Sequence, residues 1–456
     1  DLSIYTEDMD VKEIEGKIDE AEDRTGISLA EQQRQAVREA LREGVLVITG
    51  GPGTGKTTII HTIIQIFSSM GKKAVLAAPT GRAAKRMTET SGEEAKTIHR
   101  LLGVAYSEQE NAGQKFEKDE SDPIEADVVI IDEVSMVDMQ LFNSLLKAIG
   151  PGTRLILVGD SSQLPSVAAG NVLKDIIKSG RIKTVRLTEI FRQARESAII
   201  MNAHRINEGI EPVMNGQNTD FFFVNAPYIR EIPAKIVELV TKRPPGFTGA
   251  DPFTDMQVLT PMRKGDIGAA GLNRTLREAL NPPSPQKAEY ETNNGFFREG
   301  DKVMQIKNNY NTPWEIRDER GRVVEDGTGI YNGDIGIVKK IDKGAETLTV
   351  LFDDMRQAVY DFTSLDELEG AYAVTIHKSQ GSEYPVVIIP IHSGPPMLFS
   401  RNLLYTAVTR AKKLVVIVGL RSSVNKMVAN DREVSRYSGL AYRINSLWNF
   451  MTEEDR

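Results

Sequence analysis

The segment Gly50-Gly51-Pro52-Gly53-Thr54-Gly55-Lys56-Thr57 fits the spacing G-x-x-x-x-G-K-[S/T] at every fixed position. Glycines let backbone N–H groups curl around a phosphate without side-chain clashes, and a following helix points its positive N-terminus at the anion. Lys56 can reach the β- and γ-phosphates, and the Thr57 hydroxyl can bind Mg²⁺. The sequence therefore predicts a nucleoside-triphosphate site. Its predicted nucleotide ligands are Gly51, Gly53, Thr54, Gly55, Lys56, Thr57 and Thr58.

Two acids follow a later apolar run, in Ile130-Ile131-Asp132-Glu133. Open α/β sheets bind ligands at the carboxyl ends of their strands, where Asp132 would lie. Asp132 is predicted to bind Mg²⁺, and Glu133 to orient and deprotonate an attacking water. Gln163 follows the next apolar run, and its amide can touch both a γ-phosphate and that water. The combination favours nucleotide hydrolysis over phosphoryl transfer to a small acceptor.

These residues need a sheet that brings strand ends together. The runs 45–48, 74–78, 128–131 and 154–158 are apolar apart from Arg154 and alternate with segments of helical spacing, which is typical of parallel strands buried on both faces. A second set, at 257–259, 302–306, 373–376, 386–389 and 414–418, predicts another sheet of similar build. The predicted fold class is α/β.

Three segments interrupt that pattern. Residues 1–26 are acidic with helical spacing, which favours a solvated surface helix over an acidic interaction site. Residues 103–123 are polar and predict a loop or a hairpin inserted in the first sheet. Residues 329–362 have glycine turns between short β-rich runs, which predicts a small barrel inserted in the second sheet.

Composition excludes several classes of protein. The chain has 456 residues, a length typical of about three domains. It contains no cysteine, which rules out thiolate nucleophiles, Cys-ligated zinc and iron–sulfur clusters. No apolar run approaches about 18 residues, so no membrane span is expected. With 56 basic and 64 acidic residues the net charge is −8, which argues against coating nucleic acid by bulk charge but permits a locally basic groove.

Further motifs, in order along the chain, resemble those of superfamily 1 helicases. Gln33 occupies the position of the glutamine that recognises adenine in the Q-motif. The sequences APTGRAA, TIHRLL, LTEIFRQ, VTIHKSQGSE and LYTAVTRA resemble motifs Ia, Ib, IV, V and VI. Together they span residues 29–411. Within the superfamily the chain most resembles the RecD-like group, superfamily 1B. This resemblance rests on the sequences of motifs Ia and Ib, on FRQ after LTEI, and on YNGDIG at 331–336.

The resemblance implies two RecA-like P-loop NTPase domains in tandem, each a parallel sheet with helices on both faces. It implies an N-terminal helical linker segment at 1–28 and a first domain at 29–187 with a strand-splitting hairpin at about 103–124. The second domain would comprise 188–308 and 366–456, with an SH3-like barrel inserted at 309–365. It also implies that the chain is N-terminally truncated relative to the stand-alone members of the group.

The same resemblance implies roles for residues outside the P-loop. Arg192 and Arg410 would reach the γ-phosphate and join Lys56, Glu133 and Gln163 in catalysis, and Glu383 would touch the ribose. Single-stranded DNA would run across the strand ends of both domains. Its predicted contacts are Pro79, Thr80, Arg82, Thr97, His99, Pro261, Arg263, Thr375, His377 and Lys378. A basic cluster formed by Lys72, Lys73, Arg82, Lys85 and Arg86 is either DNA track or a solvated helix face.

The function implied is an ATP- and Mg²⁺-dependent DNA helicase that moves 5′ to 3′ on single strands and at duplex junctions in DNA repair or recombination. It would act as a monomer, in the cytoplasm of a bacterial-type cell, without membrane contact. The alternative is a motor or regulatory subunit of a helicase–nuclease complex. Translocation on RNA stays open. A relaxase–helicase fragment would need a Tyr nucleophile and a His-rich site upstream, and the sequence has neither.

Overall fold

The computed structural model describes residues 9–103, 116–216, 219–242, 246, 249–292, 295–353, 355–432 and 436–454. The described chain forms two compact units: unit 1 holds residues 9–196 and 436–454, and unit 2 holds most of the chain between them. The predicted boundary at 187/188 differs from this division, and the C-terminal residues belong to unit 1 rather than to the second domain. The predicted hairpin at 103–124 lies largely outside the described residues.

Unit 1 is built on a six-stranded sheet. Its strands are β1 Val45–Gly50, β2 Ala74–Ala78, β3 Ala95–Thr97, β4 Val128–Ile131, β5 Arg154–Gly159 and β6 Lys183–Leu187. Its helices are α1 Val11–Thr25, α2 Glu31–Arg42, α3 Lys56–Ser69, α4 Gly81–Ser91, α5 Ile98–Leu102, α6 Met139–Lys147, α7 Val172–Ser179, α8 Arg192–Arg195 and, from the end of the chain, α14 Leu440–Glu454. The strands are all parallel, in the order β3-β2-β4-β5-β1-β6. Their carboxyl ends therefore share one edge.

Both faces of this sheet are covered, which explains why its central strands are mostly apolar. Successive side chains of a strand point to opposite faces. Leu46 and Ile48 accordingly pack with α1, α2 and α3, whereas Val47 packs with α5, α6 and α7. The expected parallel sheet with helices on both faces is therefore confirmed.

Helix α1 is more than a solvated linker. Ile14 and Ile18 are fully buried in the same core as α2 and α3. On its polar face, Glu15 and Asp19 accept hydrogen bonds from Arg34 at 2.8 and 2.7 Å. These two acidic residues thus attach α1 to α2 within unit 1.

The C-terminal segment also completes unit 1. Leu440 and Ile444 of α14 pack against the core on the α7 side of the sheet. Ahead of the helix, Arg436 Nη1 donates to three backbone carbonyls, those of Ser166, Ala168 and Gly170, at 2.7 to 2.8 Å. Residues more than 260 positions apart in the sequence are therefore joined.

Unit 2 contains a second parallel sheet. Its strands, in the order β18-β8-β19-β20-β7, are β18 Ala373–Thr375, β8 Met256–Thr260, β19 Tyr384–Ile391, β20 Ala411–Gly419 and β7 Phe221–Asn225. The helices around it are α9 Ala198–Asn207, α10 Ile232–Thr241, α11 Ala269–Leu280, α12 Arg401–Val408 and α13 Arg421–Ala429. Strand β7 was not predicted from the sequence.

An antiparallel sheet is inserted between β8 and β18. Its order is β13-β12-β16-β15-β14-β11-β17, with β11 Lys302–Gln305, β12 Asn309–Arg317, β13 Val323–Ile330, β14 Ile335–Asp342, β15 Thr347–Phe352, β16 Gln357–Asp361 and β17 Leu368–Gly370. A hairpin of β9 Glu289–Thr292 and β10 Gly295–Arg298 precedes it. The prediction that 302–306 belongs to the second parallel sheet is wrong, because β11 pairs antiparallel with β14 and β17. The all-β insertion is therefore longer than 309–365.

Candidate active site

The phosphate loop joins β1 to α3 at the carboxyl edge of the unit 1 sheet. Gly53 and Gly55 have φ of 73° and 78°, a left-handed conformation that glycine adopts at no steric cost. A Cβ on Gly55 would lie 2.2 Å from Gln33 Nε2 and 2.8 Å from the Phe191 ring. Both the backbone angle and the space therefore require glycine there.

Side chains of the loop hold it in shape. Lys56 Nζ donates to the Gly50 and Gly51 carbonyls at 2.6 and 3.1 Å, and Thr54 Oγ1 donates to the Gly51 carbonyl at 2.8 Å. Thr57 and Thr58 lie in the first turn of α3, and the Thr57 side chain is exposed. The first N–H groups of a helix have no partner within the helix, so this turn suits an anion.

Two glutamines of the Q-motif tie α2 to its neighbours: Gln33 contacts the phosphate loop, and Gln32 contacts the segment after β6. Gln33 is 2% exposed, its Nε2 donates to the Thr54 carbonyl at 3.3 Å, and its Oε1 accepts from the Ala30 N–H at 3.0 Å. Its neighbour Gln32 accepts from the Thr188 N–H at 2.7 Å, just after β6. The structure thus brings Gln33 to the phosphate loop, while its role toward adenine stays a prediction.

Phe191 is a site residue that sequence reasoning missed. Its ring lies against Gly55, and its N–H donates to the Gly53 carbonyl at 3.3 Å. The sequence feature that could have identified Phe191 is its position directly before Arg192 in the FRQ sequence. Arg192 begins α8 in unit 1, not in the second domain as predicted, and the structure describes its backbone only.

The acid pair lies at the end of β4. Asp132 and Glu133 are 8% and 5% exposed, and the Glu133 N–H donates to Asp132 Oδ1 at 2.7 Å. Burial, and then the neighbouring Glu133, raise the pKa of Asp132, whereas Arg86 and Lys56 oppose that rise. Glu133 has φ 54°, a strained backbone for a residue with a Cβ and one that is found most often at functional sites.

Arg86 is the second residue that sequence reasoning missed. Its Nη2 lies 3.0 Å from Glu133 Oε1 and 3.7 Å from Asp132 Oδ2. The sequence showed only a basic cluster on a helix and left its role open. Helix α4 follows β2, and β4 is the strand next to β2 in the sheet. The side chain of Arg86 therefore reaches from α4 to the acids at the end of β4.

Gln163 follows β5, which lies between β4 and β1 in the sheet. It is 6% exposed, and its Nε2 donates to Asp160 Oδ2 at 3.4 Å. In the part of the chain that the structure describes, Gln163 Oε1 and the buried Ser135 Oγ have no hydrogen-bond partner. Buried polar atoms rarely lack a hydrogen-bond partner, and a polar ligand at this edge of the sheet would supply one to each of these atoms.

These residues fit a magnesium nucleotide. Magnesium sites in phosphate-transferring proteins use one or two protein oxygens together with phosphates and waters. Within the described ranges no three His, Asp or Glu side chains are grouped to hold a metal by themselves. The Thr57 hydroxyl and the Asp132 carboxylate are the predicted pair, and both stand at the same sheet edge.

The predicted DNA contacts of unit 1 lie along that edge. Ala78 of β2 pairs with Thr97 of β3, so Pro79 and Thr80 follow one strand end and His99 the next. Thr80 and Thr97 cap their helices by accepting from the Ala83 and Arg100 N–H groups, at 3.2 and 3.1 Å. Arg82 lies in the first turn of α4. Burial lowers the pKa of His99, against an opposing attraction from Asp138.

In unit 2 the predicted DNA contacts are also adjacent. Thr260 pairs with Thr375, so the segments that carry Pro261 and His377 begin side by side. A cavity of about 50 Å³ is lined by Arg263, Thr375 and Lys378 together with Glu369 of β17. Lys378 Nζ lies 2.6 Å from Glu369 Oε2.

Arg410 and Glu383, the two residues of unit 2 that are predicted to contact the nucleotide, contact other residues of unit 2. Arg410 is 2% exposed, and its Nη1 donates to the Ser382 carbonyl at 3.2 Å. Its Nε has no hydrogen-bond partner in the described chain. Glu383 Oε2 lies 3.3 Å from Lys412 Nζ.

A phosphate loop, an acid pair and a glutamine on neighbouring ends of a parallel sheet define a P-loop NTPase. Three family models match the chain: an AAA domain at residues 33–169, an ATP-dependent RecD-like DNA helicase SH3 domain at 272–352, and a UvrD-like helicase C-terminal domain at 370–418. The second match covers much of the antiparallel insertion.

Whole-chain comparisons agree. The ATP-dependent RecD2 DNA helicase of Deinococcus radiodurans is 36% identical over 419 residues, covering 91% of this chain and 52% of that relative. The RecBCD enzyme subunit RecD of Mycobacterium tuberculosis is 30% identical over 455 residues, covering 91% of this chain and 73% of that relative. The chain belongs to the RecD-like family of ATP-dependent DNA helicases. It spans about half the length of the Deinococcus relative.

Solved structures show the same fold. A Pif1 helicase structure, described as one of two coordinating Pif1 helicases that unwind forked duplex DNA, aligns with a TM-score of 0.52 at 18% identity, covering 94% of this chain and 98% of that chain. Pif1 from Bacteroides in complex with ADP-AlF3 and single-stranded DNA aligns with a TM-score of 0.50 at the same identity and coverage. Among the described residues, none of the helices is both long and apolar enough to cross a membrane.

Proposed function

We propose that this chain is a motor that hydrolyses ATP, moves along single-stranded DNA from 5′ to 3′, and unwinds duplexes during repair or recombination. The observation that carries the proposal is the convergence of Lys56, the Asp132–Glu133 pair and Gln163 on one sheet edge, in a chain of the RecD-like family. The direction is supported by the motif resemblance alone. The proposed setting is the cytoplasm, and the proposed active form is a monomer.

The residues divide the hydrolytic work among them. Lys56 and the first turn of α3 bind the β- and γ-phosphates, and Gln33 lies against the loop on the side proposed for the base. Bound Mg²⁺, held by Thr57 and Asp132, would neutralise phosphate charge. Glu133 accepts the proton of the attacking water, and Gln163 Oε1 accepts a hydrogen bond that orients that water.

Outside the phosphate loop, we propose Arg192 and Arg410 as the arginines that stabilise charge on the transferred phosphoryl group, and Glu383 as a ribose contact. Arginine fingers contribute roughly 10³- to 10⁵-fold to turnover. Arg410→Ala should therefore keep nucleotide affinity and lose most DNA-stimulated ATPase, about 10³-fold. Turnover near that of the unmodified chain would contradict the assignment. Melting curves and binding of a fluorescent ATP analogue report whether the variant is folded.

DNA contact is proposed at the strand ends of each unit. Pro79, Thr80, Arg82, Thr97 and His99 would serve in unit 1. In unit 2 the proposed residues are Pro261, Arg263, Thr375, His377 and Lys378. Short hydroxyl and cationic groups at such positions suit phosphate oxygens, which carry no sequence information. Of the relatives by fold, the Bacteroides Pif1 structure is described with single-stranded DNA.

The deciding experiment compares partial duplexes with a 5′ or a 3′ tail, with and without ATP and Mg²⁺. Unwinding of the 5′-tailed substrate alone is expected. Unwinding from the 3′ tail alone would keep the motor and overturn the direction. Lys56→Ala is the matched control, because it removes the phosphate ligand while leaving the predicted DNA contacts in place.

A second candidate function is that of a motor or regulatory subunit in a helicase–nuclease assembly. It is favoured by the 30% identity to a RecBCD subunit. In that case single strands would stimulate ATPase while neither tailed duplex is unwound by the chain alone.

A further inference from the structure

Helix α4 carries two arginines on one face. Arg82 lies in its first turn and Arg86 four residues later. Residues four apart on a helix lie above one another, about 6 Å apart along the axis. Arg82 belongs to the proposed DNA contacts, whereas Arg86 contacts the acid pair. A single rigid helix turn therefore separates the proposed DNA surface from the hydrolytic acids.

The contact between Arg86 and Glu133 is short and shielded from solvent. Arg86 Nη2 lies 3.0 Å from Glu133 Oε1, and the exposed fractions of the two side chains are 24% and 6%. Breaking a buried pair by removing one partner leaves an uncompensated charge, so such a pair resists opening. The pair restrains Glu133 strongly.

That restraint acts on the atom proposed to do the chemistry. A general base needs a free lone pair directed at the water whose proton it takes. The guanidinium of Arg86 occupies a lone pair of Glu133 Oε1. The left-handed backbone of Glu133, φ 54°, is a strained conformation that the surrounding structure must hold in place. A displacement of Arg86 would remove this restraint from the Glu133 carboxylate.

We propose that Arg86 is a positioning residue that holds Glu133 in an ion pair, and that contact of single-stranded DNA with the first turn of α4 withdraws Arg86 and so stimulates hydrolysis. The inference rests on the proposed function and names the regulation of that same site. It requires two states of α4 that DNA binds with different affinity, since a ligand shifts an equilibrium only by such a difference.

The test is the steady-state ATPase of Arg86→Gln, measured without DNA and with saturating oligothymidylate. The DNA-independent kcat should rise about fivefold or more, the lower range of measured couplings between sites. The DNA-stimulated kcat and the KM for ATP should stay near those of the unmodified chain. The stimulation ratio therefore falls. Lys147→Gln, which removes an exposed charge from α6 of the same unit, is the matched control and should keep the ratio.

A second variant separates restraint from support of the fold. Arg86→Lys keeps the charge and should keep the DNA-independent kcat low. Equal loss of both rates in Arg86→Gln, with intact melting temperature and nucleotide affinity, would overturn the inference and make Arg86 a contributor to catalysis itself. An unchanged stimulation ratio would overturn it as well. Absence of DNA-stimulated turnover in the unmodified chain would instead overturn the proposed function, and this inference with it.

Discussion

Each unit places a cation beside a carboxylate at the proposed working edge of its parallel sheet. In unit 1 the pair is Arg86–Glu133, with side chains 24% and 6% exposed. In unit 2 it is Lys378–Glu369, with side chains 32% and 29% exposed. Solvent screens the second pair, which is worth about 1 kcal/mol or less. The more buried pair is expected to govern chemistry, and the more exposed pair to tune affinity.

The carboxylates also differ in origin. Glu133 lies two residues beyond the end of β4, a central strand of the sheet that it serves. Glu369 comes from β17, the edge strand of the antiparallel insertion, where Met304 is its partner in the register. Unit 1 thus builds its site from its own strands, whereas unit 2 receives a charge from an inserted sheet. The insertion therefore affects the proposed DNA surface of unit 2 directly.

The largest effect expected from this comparison is that of Glu133→Gln. The amide keeps the size of the side chain but cannot take a proton, so ATP turnover should fall by about 100-fold or more. Affinity for a fluorescent ATP analogue should stay within about threefold, since Lys56 and the phosphate loop are untouched. Turnover close to that of the unmodified chain would show that another group is the base, and would remove the chemical role assigned to the unit 1 pair.

A smaller effect, of opposite sign, is expected from Glu369→Gln. Losing the carboxylate frees Lys378 for a DNA phosphate, so the affinity for oligothymidylate should rise about two- to fivefold. Fluorescence anisotropy measures it, and the gain should shrink at high salt.

Asp366→Asn is the matched control for that variant. Asp366 pairs with Lys307 at 2.5 Å in an exposed ion pair next to the same antiparallel sheet. It should leave the affinity unchanged. Weaker binding by Glu369→Gln would mean that Glu369 orients Lys378 rather than competing with DNA for it.

The smallest effect concerns His99. Because its pKa in the folded chain is lowered, the folded state favours neutral imidazole. The stability that this contributes is present above the ordinary His pKa of about 6.5 and is lost as pH falls through the lowered pKa. Between pH 7.5 and 5, the free energy of unfolding should therefore fall by about 1 kcal/mol or less further in the unmodified chain than in His99→Gln.

The two tryptophans make this measurable, because Trp448 belongs to unit 1 and Trp314 to unit 2. Denaturation followed by Trp448 fluorescence in a Trp314→Phe background reports unit 1. His392→Gln, in unit 2, is the control. Identical pH dependence with and without His99 would contradict the inference that its neutral form is preferred.

Much of the unit 1 site was predictable because its chemistry lies in short, contiguous motifs. The phosphate loop and the Asp132–Glu133 pair each combine a buried strand with the residues that follow it. Residue type, spacing and context are then all visible in one stretch of sequence. The parallel sheet followed for the same reason, since its central strands are mostly apolar on both faces.

What the sequence did not predict depends on direction in space. Arg86 and Glu133 are 47 residues apart, and whether Arg86 faces the acids or the solvent depends on the rotation of α4 about its axis. Phe191 reaches Gly55 only because β6 lies beside β1. Strand β11 is buried along its whole length, as the inner strands of the parallel sheets are, and only its pairing with β14 shows that it belongs to the antiparallel sheet.

The return of residues 436–454 to unit 1 has a consequence for biosynthesis. Domains generally fold as units, and the N-terminal one folds first during synthesis. Here the ribosome must finish the whole of unit 2 before Arg436 can reach the carbonyls of Ser166, Ala168 and Gly170. The nucleotide-binding unit is therefore started before unit 2 and completed after it. A nonsense mutation just before Arg436 would therefore damage unit 1, although it leaves residues 9–196 of that unit in place.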